Sequence, residues 1–160
     1  MNDALIGTDI TGIYETHLPV RSLDRSIPFY RDKLGLTLAT LIPERKIAFF
    51  WVGDKTQSML GLWEAGSAPL HMVLHFAFRM PLEHVLTAPA RLSAQGITPR
   101  GFDGTPVDEP DVIGWMPAAS VYFKDPDGHS LEVISVLDAA PDADFGVAPY
   151  SDWQARADRG

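Results

Sequence analysis

Apolar and polar residues alternate with period two over several short runs and recur near period 3.6 over two longer ones. That predicts short strands interrupted by two helices. Gly12–Val20 (GIYETHLPV) is the first predicted strand, with Ile13, Glu15 and His17 on one side and Tyr14, Thr16 and Leu18 on the other. Ser22–Leu34 is the first predicted helix, because Leu23, Ile27, Tyr30 and Leu34 fall on one helical face. Ser22 suits the N-cap, Asp24 the first turn, Arg31 and Lys33 the last, and Gly35 the position beyond the C-terminus. Pro28 removes a hydrogen bond and crowds the preceding turn, so the main helix is expected to begin near Ser26 with the first turn separate. Leu36–Ile42, Lys46–Val52 and Ser58–Trp63 follow as strands separated by Pro43 and Gly53-Asp54, a predicted meander. Ala65–Pro69 reads as a linker.

The pattern then restarts. His71–Arg79 (HMVLHFAFR) predicts a strand, Leu82–Gln95 a helix ended by Gly96, and Ile97–Phe102 a strand. A loop over Asp103–Pro117 leads to strands at Ala119–Phe123 and Ser130–Leu137, joined by the turn sequence Asp125-Pro126-Asp127-Gly128. The two halves share spacing. Glu15 precedes Gly35 by 20 residues and His75 precedes Gly96 by 21. The predicted fold is therefore α+β, built from two βαβββ modules at 10–66 and 70–137, with a tail at 138–160. The tail, rich in Ala, Asp and Pro, either docks through Phe145, Tyr150 and Trp153 or stays loose.

Against this pattern a few polar residues stand out. Glu15 and His17 share a face of the first strand, His75 lies at the centre of the fifth, and Glu132 sits in the apolar run SLEVISVL. Burying an unpartnered carboxylate or imidazole is costly. Taken singly, each has an ordinary explanation as a solvent-facing or rim residue. Brought together from separate strands, His and Glu supply nitrogen and oxygen donors suited to a divalent first-row ion, with an open position for substrate or water. His71 shares a strand face with His75, whereas His84 falls on a helix and His129 in a turn. The chain lacks G-x-S-x-G, H-E-x-x-H, P-loop and G-x-G-x-x-G sequences.

Composition narrows the candidates. At 160 residues with 46% hydrophobic and 21% charged residues, the chain suits one buried core rather than disorder. A formal charge of −8 argues against nucleic acid as a partner. With no cysteine, thiolate metal sites, disulfides and Cys nucleophiles are excluded. Met1-Asn2-Asp3-Ala4 carries no basic segment leading into an apolar run, and no apolar stretch approaches the ~20 residues of a membrane helix. A cytoplasmic, membrane-free protein is expected.

Three segments resemble the vicinal oxygen chelate superfamily, which includes glyoxalase I, extradiol dioxygenases, fosfomycin-resistance enzymes and bleomycin-binding proteins. Glu15–Leu36 (ETHLPVRSLDRSIPFYRDKLGL) is similar to the family's opening strand and helix, His75–Phe78 to the start of its second module, and Phe123–Ile134 (FKDPDGHSLEVI) to its closing turn and Glu-bearing strand. The resemblance implies paired βαβββ modules whose curved mixed sheet encloses a metal-centred cavity. It implies Glu15, His75 and Glu132 as ligands of a divalent ion (Zn, Ni, Mn or Fe), with Glu15 standing where His or Gln is common. His17, with the same facing, can substitute for Glu15 or serve beside it as a base, so both are catalytic candidates. The acidic ligand of glyoxalase I at the end of the first module falls on Gly61, and Glu64 lies on the wrong face. Arg79 is a candidate for an anionic substrate group, Trp115 and Tyr122 for an apolar wall, and the Asp103–Pro117 loop for a lid. The implied function is a glyoxalase-like lyase or isomerase acting on a small oxygenated substrate, as a homodimer. The alternatives are a metal-free bleomycin-resistance-type binding protein and an Fe(II) extradiol dioxygenase.

Overall fold

The structure is a computed structural model describing residues 12–65 and 72–157. The expected linker beyond Ala65 and the His71 position lie outside the described residues. The chain forms two compact units, dividing between Met72 and Val73. The architecture is α+β, with one mixed sheet in each unit.

In the first unit, β1 (Glu15–Val20) runs parallel to β4 (Ser58–Glu64). The meander β2 (Thr37–Ile42), β3 (Ile47–Val52), β4 is antiparallel, giving the order β1-β4-β3-β2. Leu18 and Val20 of β1, Leu60 and Leu62 of β4, and Ala48 and Phe50 of β3 are buried on one face. Alternation sends Glu15, His17, Gly61 and Trp63 to the other. Helix α1 (Leu23–Pro28) covers the buried side with Leu23 and Ser26, and Phe29 and Tyr30 continue that contact.

Pro28 acts on the opposite side from the one expected. The helix starts at Leu23 without a separate first turn, and beyond Pro28 it widens into a π-helical stretch, Phe29–Lys33. Leu34 N–H reaches back to the Phe29 carbonyl at 3.0 Å, an i→i−5 bond. A proline cannot donate to the carbonyl four residues back, and a wider turn accommodates that loss. The N-terminus of α1 is also held in an unexpected way. Ser22 makes no side-chain cap; Glu64 Oε2 of β4 accepts from Leu23 N–H at 3.0 Å, and its other oxygen accepts from Lys46 Nζ at 2.9 Å. The backbone N–H of Leu23, then Lys46, holds the Glu64 carboxyl below its ordinary pKa.

In the second unit, β5 (His75–Arg79) runs parallel to β8 (Ser130–Val136), and β7 (Ala118–Lys124), β6 (Asp111–Ile113) and β9 (Val147–Pro149) follow antiparallel, in the order β5-β8-β7-β6-β9. The first four strands repeat the order of the first unit, so the βαβββ duplication is real. Its second strand is not where the sequence pattern put it. Ile97–Phe102 makes only isolated bridges, Arg100 with Tyr122 and with Pro106, and β6 takes its place from inside the expected loop. Pro99 has no N–H to give a ladder, and the Phe102 N–H is taken by Asp111 Oδ2 at 2.7 Å. Helix α2 (Leu82–Ala94) buries Val85, Ala88 and Pro89.

The C-terminal segment is docked. β9 pairs with β6, helix α3 (Tyr150–Ala157) follows, and Phe145 packs edge-on against Trp153 with ring centroids 4.9 Å apart. No helix among the described residues is long and apolar enough to cross a membrane.

Candidate functional site

The parallel strand pair of each unit carries a pair of polar side chains, and register relates the two pairs. In the first unit His17 lies opposite Gly61, with Glu15 two residues earlier. In the second, Ala77 lies opposite Glu132, with His75 two residues earlier. The large and small residues are exchanged between the two strands: His/Gly in one unit, Ala/Glu in the other.

That exchange explains Gly61. A Cβ at this position would overlap Nδ1 and Cε1 of His17, so the imidazole occupies the space an acidic side chain there would need. The ring is held on three sides. Trp63 Nε1–H donates to His17 Nδ1, His17 Nε2 bonds Glu15 Oε1, and the Phe49 ring meets it edge-on at 5.6 Å. An indole is only a donor, so Nδ1 is the acceptor and the ring's proton sits on Nε2, pointing at Glu15. Both ring nitrogens are thus occupied within the protein. Of the two first-strand candidates, Glu15 retains an uncommitted carboxylate oxygen, and His17 orients it.

In the second unit, His75 Nδ1 lies 3.0 Å from the Ser130 carbonyl, which can only accept, so Nδ1 carries the proton. The lone pair of Nε2 then faces Glu132 Oε2 at 3.3 Å. Two acceptors at that separation repel unless a proton or a cation lies between them. Glu132 is only 4% exposed, and its Oε1 makes no hydrogen bond among the described residues. Burial pushes the Glu132 carboxyl above its ordinary pKa, with Tyr122 and His75 opposing. Tyr122 faces Glu132 across β7 and β8. Burial also pushes its phenol up to about 12, so it is a proton-bearing donor throughout the neutral range. The Ser120 hydroxyl is buried nearby, close enough to lower both values, yet without an aligned hydrogen bond.

This chemistry suits a divalent cation. An imidazole fixed by its other nitrogen to a backbone carbonyl is the usual orientation of a metal-binding histidine. An orphaned buried carboxylate oxygen beside it supplies the hard donor. Two donors converge in each unit, and no group of three His, Asp or Glu side chains stands assembled among the described residues.

A cleft of about 260 Å³ opens beside His75, lined also by Arg100, Phe102, Gly104, Tyr122 and Lys124. Of the residues expected to touch substrate, Tyr122 lies here. Arg79, at the far end of β5, and Trp115, 58% exposed in the turn after β6, are not among its lining residues. Sequence reasoning passed over Arg100, Phe102 and Lys124. The available signal was the Pro99-Arg100-Gly101-Phe102 run, whose proline and glycine already argued against a regular strand. It also passed over Trp63 as the partner of His17, a contact spanning 46 residues.

Similarity to known proteins agrees with this architecture. The family model described as Glyoxalase/Bleomycin resistance protein/Dioxygenase superfamily matches residues 12–133. An integron cassette protein from the mobile metagenome of the Halifax Harbour sewage outfall is 28% identical, with a TM-score of 0.65 over 79% of this chain and 100% of that one. Lactoylglutathione lyase from Agrobacterium tumefaciens is 29% identical, with a TM-score of 0.59 over 78% of this chain and 93% of the lyase. A glyoxalase/bleomycin resistance protein/dioxygenase from Nocardioides is 26% identical, with a TM-score of 0.60 over 82% and 87%. The chain belongs to the glyoxalase/bleomycin resistance protein/dioxygenase superfamily, the vicinal oxygen chelate proteins.

Proposed function

We propose that this protein is a metal-dependent enzyme of the glyoxalase type, a lyase or isomerase acting on a small substrate with neighbouring oxygens. One observation carries the proposal: His75 Nε2 and Glu132 Oε2 face each other at 3.3 Å while Glu132 Oε1 is buried without a partner. His75 and Glu132 of the second unit would hold the ion, and in the first unit Glu15, oriented by His17, is the candidate ligand or base. Similarity to a lactoylglutathione lyase supports the reaction class.

The ion, Zn, Ni, Mn or Fe(II), would act as a Lewis acid on the chelated substrate oxygens. The chain's own residues do the rest. The Ser130 carbonyl keeps His75 Nε2 unprotonated and aimed. The Trp63–His17 contact keeps one Glu15 oxygen engaged and its carboxylate in place for proton transfer or ligation. Tyr122, protonated well above neutral pH, donates a hydrogen bond toward an oxygen at the site. Glu15 in place of the usual His counts against an Fe(II) ring-cleaving dioxygenase. A homodimer and a cytoplasmic location fit the family and form part of the proposal.

Elemental analysis of the purified protein tests it. About one divalent ion per chain is expected, lost in His75→Ala and Glu132→Gln, with thermal stability of the wild type falling on chelation. Stability gained from the ion grows as RT ln(1 + [L]/Kd), ~2.7 kcal/mol at a hundredfold excess over Kd. Absence of uptake, with both variants indistinguishable from wild type, would refute the enzyme and leave a metal-free binding protein.

A further inference from the structure

The cleft beside His75 carries chemistry that neither the metal site nor the core requires. Phe102 is 54% exposed, yet it is not loosely held. Its N–H donates to Asp111 Oδ2 at 2.7 Å, and the neighbouring Gly101 N–H donates to the Thr105 carbonyl at 2.8 Å. The loop therefore presents an aromatic ring to solvent in a fixed position, at a hydration cost that core packing does not repay. The ring stands edge-on to Tyr122 at a centroid distance of 6.1 Å, and Tyr122 in turn lies 5.9 Å from His75. Three aromatic rings thus line one path into the cleft.

Charge is equally particular. The chain has a net charge of −8, but the residues lining this cleft include Arg100 and Lys124 and no carboxylate. Arg100 is built in: its backbone exchanges two hydrogen bonds with Tyr122, at 2.7 and 2.9 Å, and its guanidinium donates to the Gly104 carbonyl at 2.7 Å. One of five donors is so used, and the fork geometry of the others suits a carboxylate or phosphonate. Carboxylates stand behind the lining rather than in it, and Asp103 accepts from the Thr105 N–H and hydroxyl. Asp111 is engaged with the Phe102 N–H, and Glu132 is buried opposite Tyr122. The volume, about 260 Å³, equals roughly nine waters at liquid density. That admits one six-membered ring with an anionic substituent.

We propose that this cleft binds a single-ring aromatic anion, its ring against Phe102 and Tyr122 and its charged group on Arg100 and Lys124. The ring's other end then approaches His75. The inference deepens the proposed function and rests on it, because His75 is common to the cleft and the metal site.

Benzoate, acetate and benzyl alcohol serve as probes, titrated by NMR against metal-free protein at low ionic strength. Benzoate is expected to bind at least tenfold tighter than either acetate, which lacks the ring, or benzyl alcohol, which lacks the charge. Lys124→Gln and Arg100→Gln should each weaken benzoate three- to tenfold without changing benzyl alcohol. Phe102→Ala should weaken both, and Arg91→Gln, on the exposed face of α2, neither. If Arg100→Gln fails to fold, Lys124→Gln decides, since Lys124 is an exposed strand-end residue. Acetate binding as tightly as benzoate, or benzoate binding insensitive to Lys124→Gln, overturns the inference. Metal uptake measured on the same wild-type protein separates the two proposals: benzoate binding without metal uptake defeats the metal-dependent reading alone. Metal uptake without benzoate binding defeats the cleft assignment alone.

Discussion

At the scale of single residues, the exchange of size between His17/Gly61 and Ala77/Glu132 is what differentiates the two halves. Gly61 does not have positive φ, so its backbone accepts alanine without strain. What excludes alanine is the His17 ring, which cannot move aside without giving up Trp63 and Glu15. Gly61→Ala should therefore destabilise the protein by about 1–3 kcal/mol, the usual cost of overpacking. In a His17→Ala background the same change should stabilise by about 0.4–1 kcal/mol, because only the lost freedom of the unfolded chain remains. A double-mutant cycle by urea denaturation reads the reversal of sign. The repeat spacing put Gly61 at the place where the family resemblance implied an acid, and the facing of Glu15 with His17 was legible from alternation. The proton on His17 Nε2 was not, because it depends on an indole 46 residues away.

Elements were legible where local signals agreed and illegible where a distant side chain decided. The strands of the first meander and helix α2 fell within a few residues of expectation, because Gly and Pro mark their ends. Helix α1 was misjudged at both ends of Pro28, since its N-terminus is capped by Glu64 rather than Ser22. That cap has a pH signature. The Glu64 carboxyl is held below its ordinary pKa, so its contribution is fully present above the unfolded-state value. It is lost as pH falls through the depressed folded-state value. Glu64→Gln should lower the melting temperature at pH 7, and the gap to wild type should close as both proteins are titrated below the carboxylate range. Calorimetric scans from pH 7 downward would show it; a gap that persists undiminished in acid would mean the carboxylate charge is not what anchors the helix. In the second unit, the displacement of the expected Ile97–Phe102 strand by Asp111–Ile113 has the same kind of cause, a side chain from elsewhere taking the backbone donor.

For the whole molecule, duplication was readable from spacing, whereas the fifth strand of the second sheet was not. Val147–Pro149 is too short and too proline-bounded to announce itself, and it becomes a strand only because β6 offers an open edge. The approach is close. A Cβ on Gly114 would collide with the Asp142 carbonyl, and Gly114 exchanges hydrogen bonds with Gly146 and Asp142 at 2.8 and 2.9 Å. Beyond the strand, Ser151 N–H and hydroxyl bond Glu109 at 3.0 and 2.9 Å, and Arg156 pairs with Asp142 at 2.6 Å. These contacts clamp the segment between Glu109 and Gly114, the same stretch whose Asp111 fixes Phe102 at the cleft. Removing 138–160 should therefore act at two places. Uncovering β6 costs stability in the second unit, because the β6–β9 ladder and the Ser151 hydrogen bonds to Glu109 are lost, so the truncated chain should melt at a lower temperature. It also frees Asp111, so the Phe102 N–H should lose protection from hydrogen exchange together with Val112 and Ile113. Exchange measured on the truncated chain distinguishes this from simple fraying: if the Phe102 amide keeps its protection while those of β6 lose theirs, the C-terminal segment stabilises the sheet and has no part in shaping the cleft.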